Sequence, residues 1–417
     1  MGEKKIFVFS DCYIYGGSEK LIGFLLKNEI ITDNYTLLFA YRKHKDYEIG
    51  LQNDGLLDRS SNYPLVLLSN ETLFHKINDL TMPKFFKSLF KVPFYIFEKV
   101  NLYSIWNLMI FIFILIKTKP SLIHINNGGY PGAKSCNILV LANYLTFRTK
   151  IIYQVNNQAQ KSENLFAYYF DRFVDKSVSY FINASLKAKE QLVVQRKFDG
   201  EKILVIDNCV PLVKLKRSRS QICEELKIPD NSFIITQVGF LSERKGQRYL
   251  INAVRSLINQ HPLLQDKLIL LLIGNGENAD LLQNLINESG LNKNVFLLGY
   301  RNDSDDFIAA GDVFVLPSIS DEDMPLVLLT ALGQGKPIIA TDFAGISQVI
   351  QSGKNGILIK NNLKTLVEDL VIQIYTMYCN EILRNKLSAN AQLSYRKYTP
   401  ENYGLKLKAI YESVYAN

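Results

Sequence analysis

The chain has 417 residues, too many for one ordinary core and a suitable number for two domains of roughly 200 residues each. Hydrophobic residues make up 47% and charged residues 21%, which excludes a disordered or fibrous chain. The net charge of +8 favours anionic partners, yet no RNA- or DNA-binding module accompanies it, so nucleic acid is not an expected partner.

Met1–Ser10 lacks the apolar core and cleavage site of a signal peptide and leads into a strand at Lys5–Ser10. Tyr15-Gly16-Gly17-Ser18-Glu19-Lys20 follows that strand and opens a helix over Ser18–Asn28. Paired glycines there let a ligand approach the backbone, and the helix start offers free N–H groups to an anion, although a tight turn without a ligand has the same letters. A strand follows at Tyr35–Tyr41. Lys84–Lys91 interleaves Lys and Phe as an interfacial segment does, and equally as a core-facing helix with exposed lysines does. Val92–Ile116 is apolar, but its clean run, Leu108–Ile116, is far short of the ~20 residues a spanning helix needs. A buried helix, with a membrane-facing side as the open alternative, is expected there, and not a spanning anchor.

Short strands follow at Leu122–Asn126, Ile151–Val155, Val178–Ile182 and Ile203–Asp207. Asn126 to Gly132, a loop dense in Asn and Gly after the first of these, suits the binding of sugar hydroxyls, with a plain turn as the alternative. A linker is expected at Val210–Gln221, around Pro211. The positive charge reads as spread along the chain apart from Lys214, Lys216, Arg217 and Arg219, a run expected to be a solvated loop.

The alternation then restarts with strands at Phe233–Val238, Leu268–Ile273, Val295–Leu298, Val313–Leu316, Ile338–Ala340 and Ile357–Ile359. Such alternation predicts parallel sheets covered by helices, hence an α/β chain with two Rossmann-like domains facing a cleft. Gly239-Phe240-Leu241-Ser242-Glu243-Arg244-Lys245-Gly246 follows the first of these strands. Its two cations would stabilise a departing diphosphate more as charge develops, with an exposed charged loop as the alternative. The most informative stretch is Pro317–Ala340, which reads strand, acidic loop, helix, glycine turn, strand, with Pro325 placed for a first helical turn. An acidic N-cap accounts for one carboxylate of that loop, not for the whole unit. The five cysteines and four histidines are scattered without metal-ligand spacing, so no metal and a reducing cytoplasm are expected. Asp303-Ser304-Asp305-Asp306 reads as a helix cap.

These segments resemble the retaining glycosyltransferases of family 4, whose fold is called GT-B. The resemblance rests on Glu322-Asp323-Met324-Pro325 through Gly333-Gln334-Gly335-Lys336-Pro337-Ile338-Ile339-Ala340 and on the Lys245-Gly246 loop. Gly274-Asn275-Gly276-Glu277, Leu298-Gly299-Tyr300 and Asn208-Cys209-Val210 extend it. It implies an acceptor-binding domain over residues 1–212 joined by a C-terminal helix at about 398–417, and a donor-binding domain over 213–397. It implies catalytic roles for Glu322 and Asn126, the latter standing where many members have His, with His124 buried beside it. Donor contacts are implied for Gly16, Gly17, Arg244, Lys245, Gly274, Gly276, Tyr300, Asp323, Met324, Pro325, Leu326, Val327 and Thr330. Acceptor contacts are implied for Asn127, Gly128, Gly129 and Tyr130. The donor would be a UDP- or GDP-linked sugar used without cofactor. The acceptor would be a glycan or lipid-linked glycan of bacterial surface polysaccharide such as capsule or O-antigen, at the inner face of the cytoplasmic membrane. Three positions depart from the pattern: Phe240 replaces an Arg, and Thr330 and Gln348 each replace a Glu. They leave a second reading, a nucleotide-sugar-binding subunit without turnover.

Overall fold

The computed structural model describes residues 4–78, 80–99, 101–162 and 164–416. The outermost residues of the expected domain ranges, 1–3 and 417, and Val100 within the expected Val92–Ile116 helix lie outside the described residues. The chain forms two compact units: Met1–Ile206 with Gly404–Asn417, and Asp207–Tyr403.

Unit 1 is built on β1 (Lys5–Ser10), β2 (Thr36–Arg42), β3 (Asn62–Leu65), β4 (Leu122–Asn127), β5 (Ile151–Val155), β6 (Tyr180–Asn183) and β7 (Ile203–Val205). All pair in parallel in the order β3-β2-β1-β4-β5-β6-β7. β1 and β4 are buried on both faces, as unbroken Ile6-Phe7-Val8-Phe9 and Leu122-Ile123-His124-Ile125 require. β3 was not anticipated. It is a four-residue edge strand carrying Pro64, so neither length nor alternation announces it. Unit 2 is built on β8 (Phe233–Val238), β9 (Leu268–Ile273), β10 (Val295–Leu297), β11 (Val313–Leu316), β12 (Ile338–Asp342) and β13 (Ile357–Lys360). Its parallel order is β10-β9-β8-β11-β12-β13. Both sheets are Rossmann-like, and in each the strand order reverses at one point: between β1 and β4, and between β8 and β11. Ligands of open α/β sheets bind at the strand carboxyl ends beside such a point.

The units part after Ile206, six residues before the expected boundary at 212. Asn208 explains the difference, because its backbone N–H meets Met324 Sδ at 3.3 Å and its side-chain amide donates to Met324 O at 2.8 Å. The Tyr395 hydroxyl also donates to Val210 O at 2.7 Å, tying this segment into unit 2. At the other end the Pro400–Ala416 helix groups with unit 1 from Gly404 onward. There Tyr411 packs edge-on against Tyr35 and His124.

Two further expectations are corrected. Val92–Ile116 is not one buried helix but parts of two, Lys84–Lys99 and Leu102–Thr118. Asn101 breaks them apart with φ 56°, a conformation Asn tolerates better than most residues. Much of the first and one whole stripe of the second are exposed. Nor are Arg217 and Arg219 in a solvated loop. Arg217 reaches Glu225, Asp303 and Asp306 and lies over the Phe307 ring. Arg219 donates to Ala310 O and pairs with Asp312. Lys214 and Lys216 are exposed as expected. Asp303 does precede the Ser304–Ala310 helix, but its carboxylate goes to Arg301 and Arg217 instead of capping backbone.

Candidate functional site

In unit 2 the loops after β8 and β11 flank the reversal point and are joined to each other. Ile319 N–H donates to Arg244 O at 2.8 Å, and Arg244 Nη1 donates to Asp321 O at 2.9 Å. Between them the Lys245 ammonium meets the Glu322 carboxylate, both nearly buried. Arg244 Nη1 stands 3.7 Å from the same carboxylate oxygen, and Ser318 Oγ donates to it at 3.3 Å. The backbone beneath is fixed by Gln237, whose amide donates to Lys245 O at 2.9 Å, and by Gln247, whose amide donates to Phe240 O at 3.0 Å. Two cations and a carboxylate are thus held at a strand-end crevice by rigid surroundings, the arrangement that binds an anion and a hydroxylated group side by side.

Gly246 has φ 72°, and a Cβ there would lie 2.0 Å from Pro317 O. The two loops close only because this residue lacks a side chain. Gly274 and Gly276 have a similar cause. A Cβ at either would lie about 2 Å from backbone, on Gly239 O at 2.0 Å and Leu241 O at 2.2 Å respectively. Close packing of the loops after β8 and β9 accounts for both glycines before any donor contact is invoked.

Met324 is buried under Asn208. Asp323 is buried against Gly345. Pro325 precedes the Leu326–Gly333 helix, whose first two residues, Leu326 and Val327, are half-buried with their N–H groups at the helix start. Thr330 Oγ donates back to Leu326 O at 3.2 Å, leaving its lone pairs for a donor hydroxyl. Tyr300 is exposed, and its N–H donates to Asn275 Oδ1 at 2.9 Å. Gln348 donates to Asp207 Oδ1 at 3.1 Å, a place where a Glu would set two carboxylates together. Phe240 is exposed beside this loop.

In unit 1 the loops after β1 and β4 flank the other reversal point. A Cβ at Gly16 or Gly17 would meet no atom within 4 Å, and Gly16 has φ −98°. Neither packing nor strain accounts for this pair, which leaves open backbone at the start of the Gly17–Leu26 helix. Asn126 lies within a buried polar network. Its amide donates to Ser10 Oγ at 2.9 Å and Glu19 Oε1 at 3.4 Å, and its oxygen accepts from Asn156 at 2.6 Å. Glu19, which sequence reasoning did not single out, also accepts from Ser10 and Tyr47 at 2.7 Å each. Burial raises its carboxyl above the ordinary value, and the Tyr47 and Ser10 hydrogen bonds oppose that. Its position two residues after the glycine pair was the available signal.

Two expected acceptor residues face inward. Asn127 is buried, donating to Pro131 O at 3.0 Å and Tyr153 Oη at 2.8 Å while accepting from Ala133 N–H. Tyr130 is buried with its hydroxyl donating to Asp171 at 2.9 Å. Their side chains build the loop, and of the four expected acceptor residues Gly128 and Gly129 are the two not buried. His124 is buried as expected. Its neighbour Gln154 donates to Asn156, so Gln154 Oε1 must accept from His124 Nε2–H at 3.1 Å, and Nδ1 accepts from the Tyr411 hydroxyl at 2.7 Å. Burial lowers this imidazole to about 4.

Residues 218–394 match the family model described as glycosyl transferases group 1. The UDP-Gal:alpha-D-GlcNAc-diphosphoundecaprenol alpha-1,3-galactosyltransferase of Escherichia coli is 32% identical over 240 residues, 55% of this chain and 60% of that protein. The chain thus spans about three-fifths of the length of that relative. An uncharacterized glycosyltransferase of Methanocaldococcus jannaschii is 24% identical over 421 residues, 97% of this chain and 96% of that one. Among solved structures, Anabaena HepE in complex with UDP superposes with TM-score 0.74 at 18% identity, covering 98% of this chain and all of that one. The fold is thus that of the GT-B structure HepE. The segment similar to the group 1 glycosyl transferase model lies within unit 2.

Proposed function

We propose that the chain moves a sugar from a UDP- or GDP-linked donor onto a glycan or lipid-linked glycan, with retention of anomeric configuration, in the assembly of bacterial surface polysaccharide. The observation that carries this is the Lys245, Arg244 and Glu322 cluster between the loops after β8 and β11. Lys245 and Arg244 would hold the diphosphate and stabilise the charge it gains as the sugar–oxygen bond breaks. Glu322 would hold donor-sugar hydroxyls, and the N–H groups of Leu326 and Val327 would receive phosphate oxygens. By the family resemblance, the open backbone at Gly16 and Gly17 is assigned to the donor and Gly128 and Gly129 to the acceptor. In this reading the donor's own phosphate oxygen takes the acceptor proton, and no cofactor or metal enters. The lipid-linked acceptor is supported by the similarity to the Escherichia coli GlcNAc-diphosphoundecaprenol galactosyltransferase, and it would bring the protein to a membrane surface at the cytoplasmic face.

The test is the anomeric configuration of the product, read by NMR from purified protein, donor and a short-chain acceptor. An axial donor linkage kept in the product agrees with the proposal, and an inverted one refutes retention. The non-transferring reading is favoured by one observation, the Thr330 hydroxyl engaged within its own helix where a carboxylate is expected. Glu322→Ala separates the two. A transferase loses turnover, whereas a binding subunit that never turned over has none to lose.

A further inference from the structure

The outer stripe of the Leu102–Thr118 helix is apolar and uncovered: Ile105, Trp106, Met109, Phe113 and Ile116 are all exposed, Phe113 by 67%. They recur at helical spacing and form one continuous stripe. The opposite stripe, with Phe111, Ile114 and Leu115, is buried in the core of unit 1, so the helix is held in place. Ahead of it the Lys84–Lys99 helix exposes Phe85, Phe86, Leu89, Phe90 and Tyr95, although a core-facing helix would bury them. Uncovered apolar surface on this scale marks an interaction face.

Charge says what covers it. Residues 80–162 contain ten Lys or Arg and one acidic residue, Glu98. This stretch therefore carries a net +9, while the whole chain carries +8. The rest of the protein is nearly neutral, so the expectation of evenly spread charge is corrected. Lys84, Lys87 and Lys91 fall on one stripe of the first helix, among its exposed aromatics. A second copy of this chain would bring the same cations, Lys84, Lys87 and Lys91, against these.

We propose that this face docks on an anionic lipid bilayer, with the two helices lying in the interface and not crossing it. Among the described residues no single helix is long and apolar enough to cross a membrane, and the two helices are bent by 64° at their junction. The buried inner stripe of the second helix also forbids its leaving the unit. Aromatic rings at the headgroup level and lysines toward lipid phosphate are the chemistry of such a face. This stands whether or not a sugar is transferred.

The protein carries its own reporter, because Trp106 is the only tryptophan and lies in the stripe. The full chain is titrated with phosphatidylglycerol vesicles and with phosphatidylcholine vesicles, with and without brominated acyl chains. A blue-shifted emission quenched by brominated anionic lipid, weak on phosphatidylcholine and reversed by about 0.5 M salt, is the expected result. Phe113→Asp should abolish the quenching, and Lys84→Glu with Lys91→Glu should weaken partitioning at least about tenfold. Unchanged circular dichroism shows that these surface variants fold. Equal, salt-insensitive binding to both lipids overturns the role of charge. An emission that ignores vesicles, or shifts only with protein concentration, overturns the bilayer in favour of a bare surface or a second copy.

Discussion

Glu322 carries most of the proposed chemistry, and it is held by three different groups: the Lys245 ammonium, the Ser318 hydroxyl and, further off, Arg244. Glu322→Ala removes a charge-assisted hydrogen bond to the donor sugar and leaves Lys245 without its buried partner. Loss of kcat/KM on the order of 10–100-fold is expected in a coupled assay, corresponding to about 1.5–3 kcal/mol. An unchanged kcat/KM would remove Glu322 from the site. His124 gives a separate test in unit 1. Its folded imidazole is lowered to about 4 from 6.5, so between these values the unfolded chain holds a proton that the folded chain does not. Stability is therefore present above about 6.5 and is lost as pH falls toward 4. Urea midpoints of wild type and His124→Gln, followed from pH 7 to pH 4.5, should converge as pH falls, and parallel curves would contradict this. Glu322, Arg244 and Lys245 were legible because each belongs to a short run tied to one strand end. Glu19 and Asn156 were not, since their importance lies in partners such as Asn126, 107 and 30 residues away in sequence. Asn127 and Tyr130 misled for the complementary reason. Loop letters do not say which side chains turn inward.

At the scale of elements, glycine decides how the strand-end loops meet. Gly246→Ala would place a methyl 2.0 Å from Pro317 O at a φ of 72°. A loss of at least about 2 kcal/mol of unit 2 stability is expected, visible as a lowered thermal midpoint. Gly17→Ala, with open space around its Cβ, should leave the midpoint within about 0.5 kcal/mol while weakening donor binding. A lowered midpoint for Gly17→Ala would make that pair structural after all. Strand ranges were largely legible because the central strands of parallel sheets are unbroken apolar runs, as at Phe233–Val238 and Leu268–Ile273. β3 escaped because an edge strand with Pro64 has no such run. The break at Asn101 was not legible, and the outward stripe was legible only as an alternative, because apolar composition cannot distinguish a stripe facing a core from one facing outward.

For the whole molecule, the two units share a strand order over six strands, unit 1 adding β7 at one edge, but divide the expected labour. Unit 2 holds the matched domain and the cation–carboxylate cluster, and unit 1 holds the open glycine backbone, the buried polar network and nearly all the net charge. The central claim is that this chain turns over a nucleotide-sugar without a metal. The direct measurement is nucleoside diphosphate release from a panel of UDP- and GDP-sugars, with a lipid-linked acceptor present, in buffer containing EDTA. One donor is expected to raise the thermal midpoint and to be consumed at an EDTA-independent rate, and Lys245→Ala to abolish both effects. Release that EDTA stops would contradict the metal-free mechanism, and no stabilisation by any nucleotide-sugar would contradict the donor site itself.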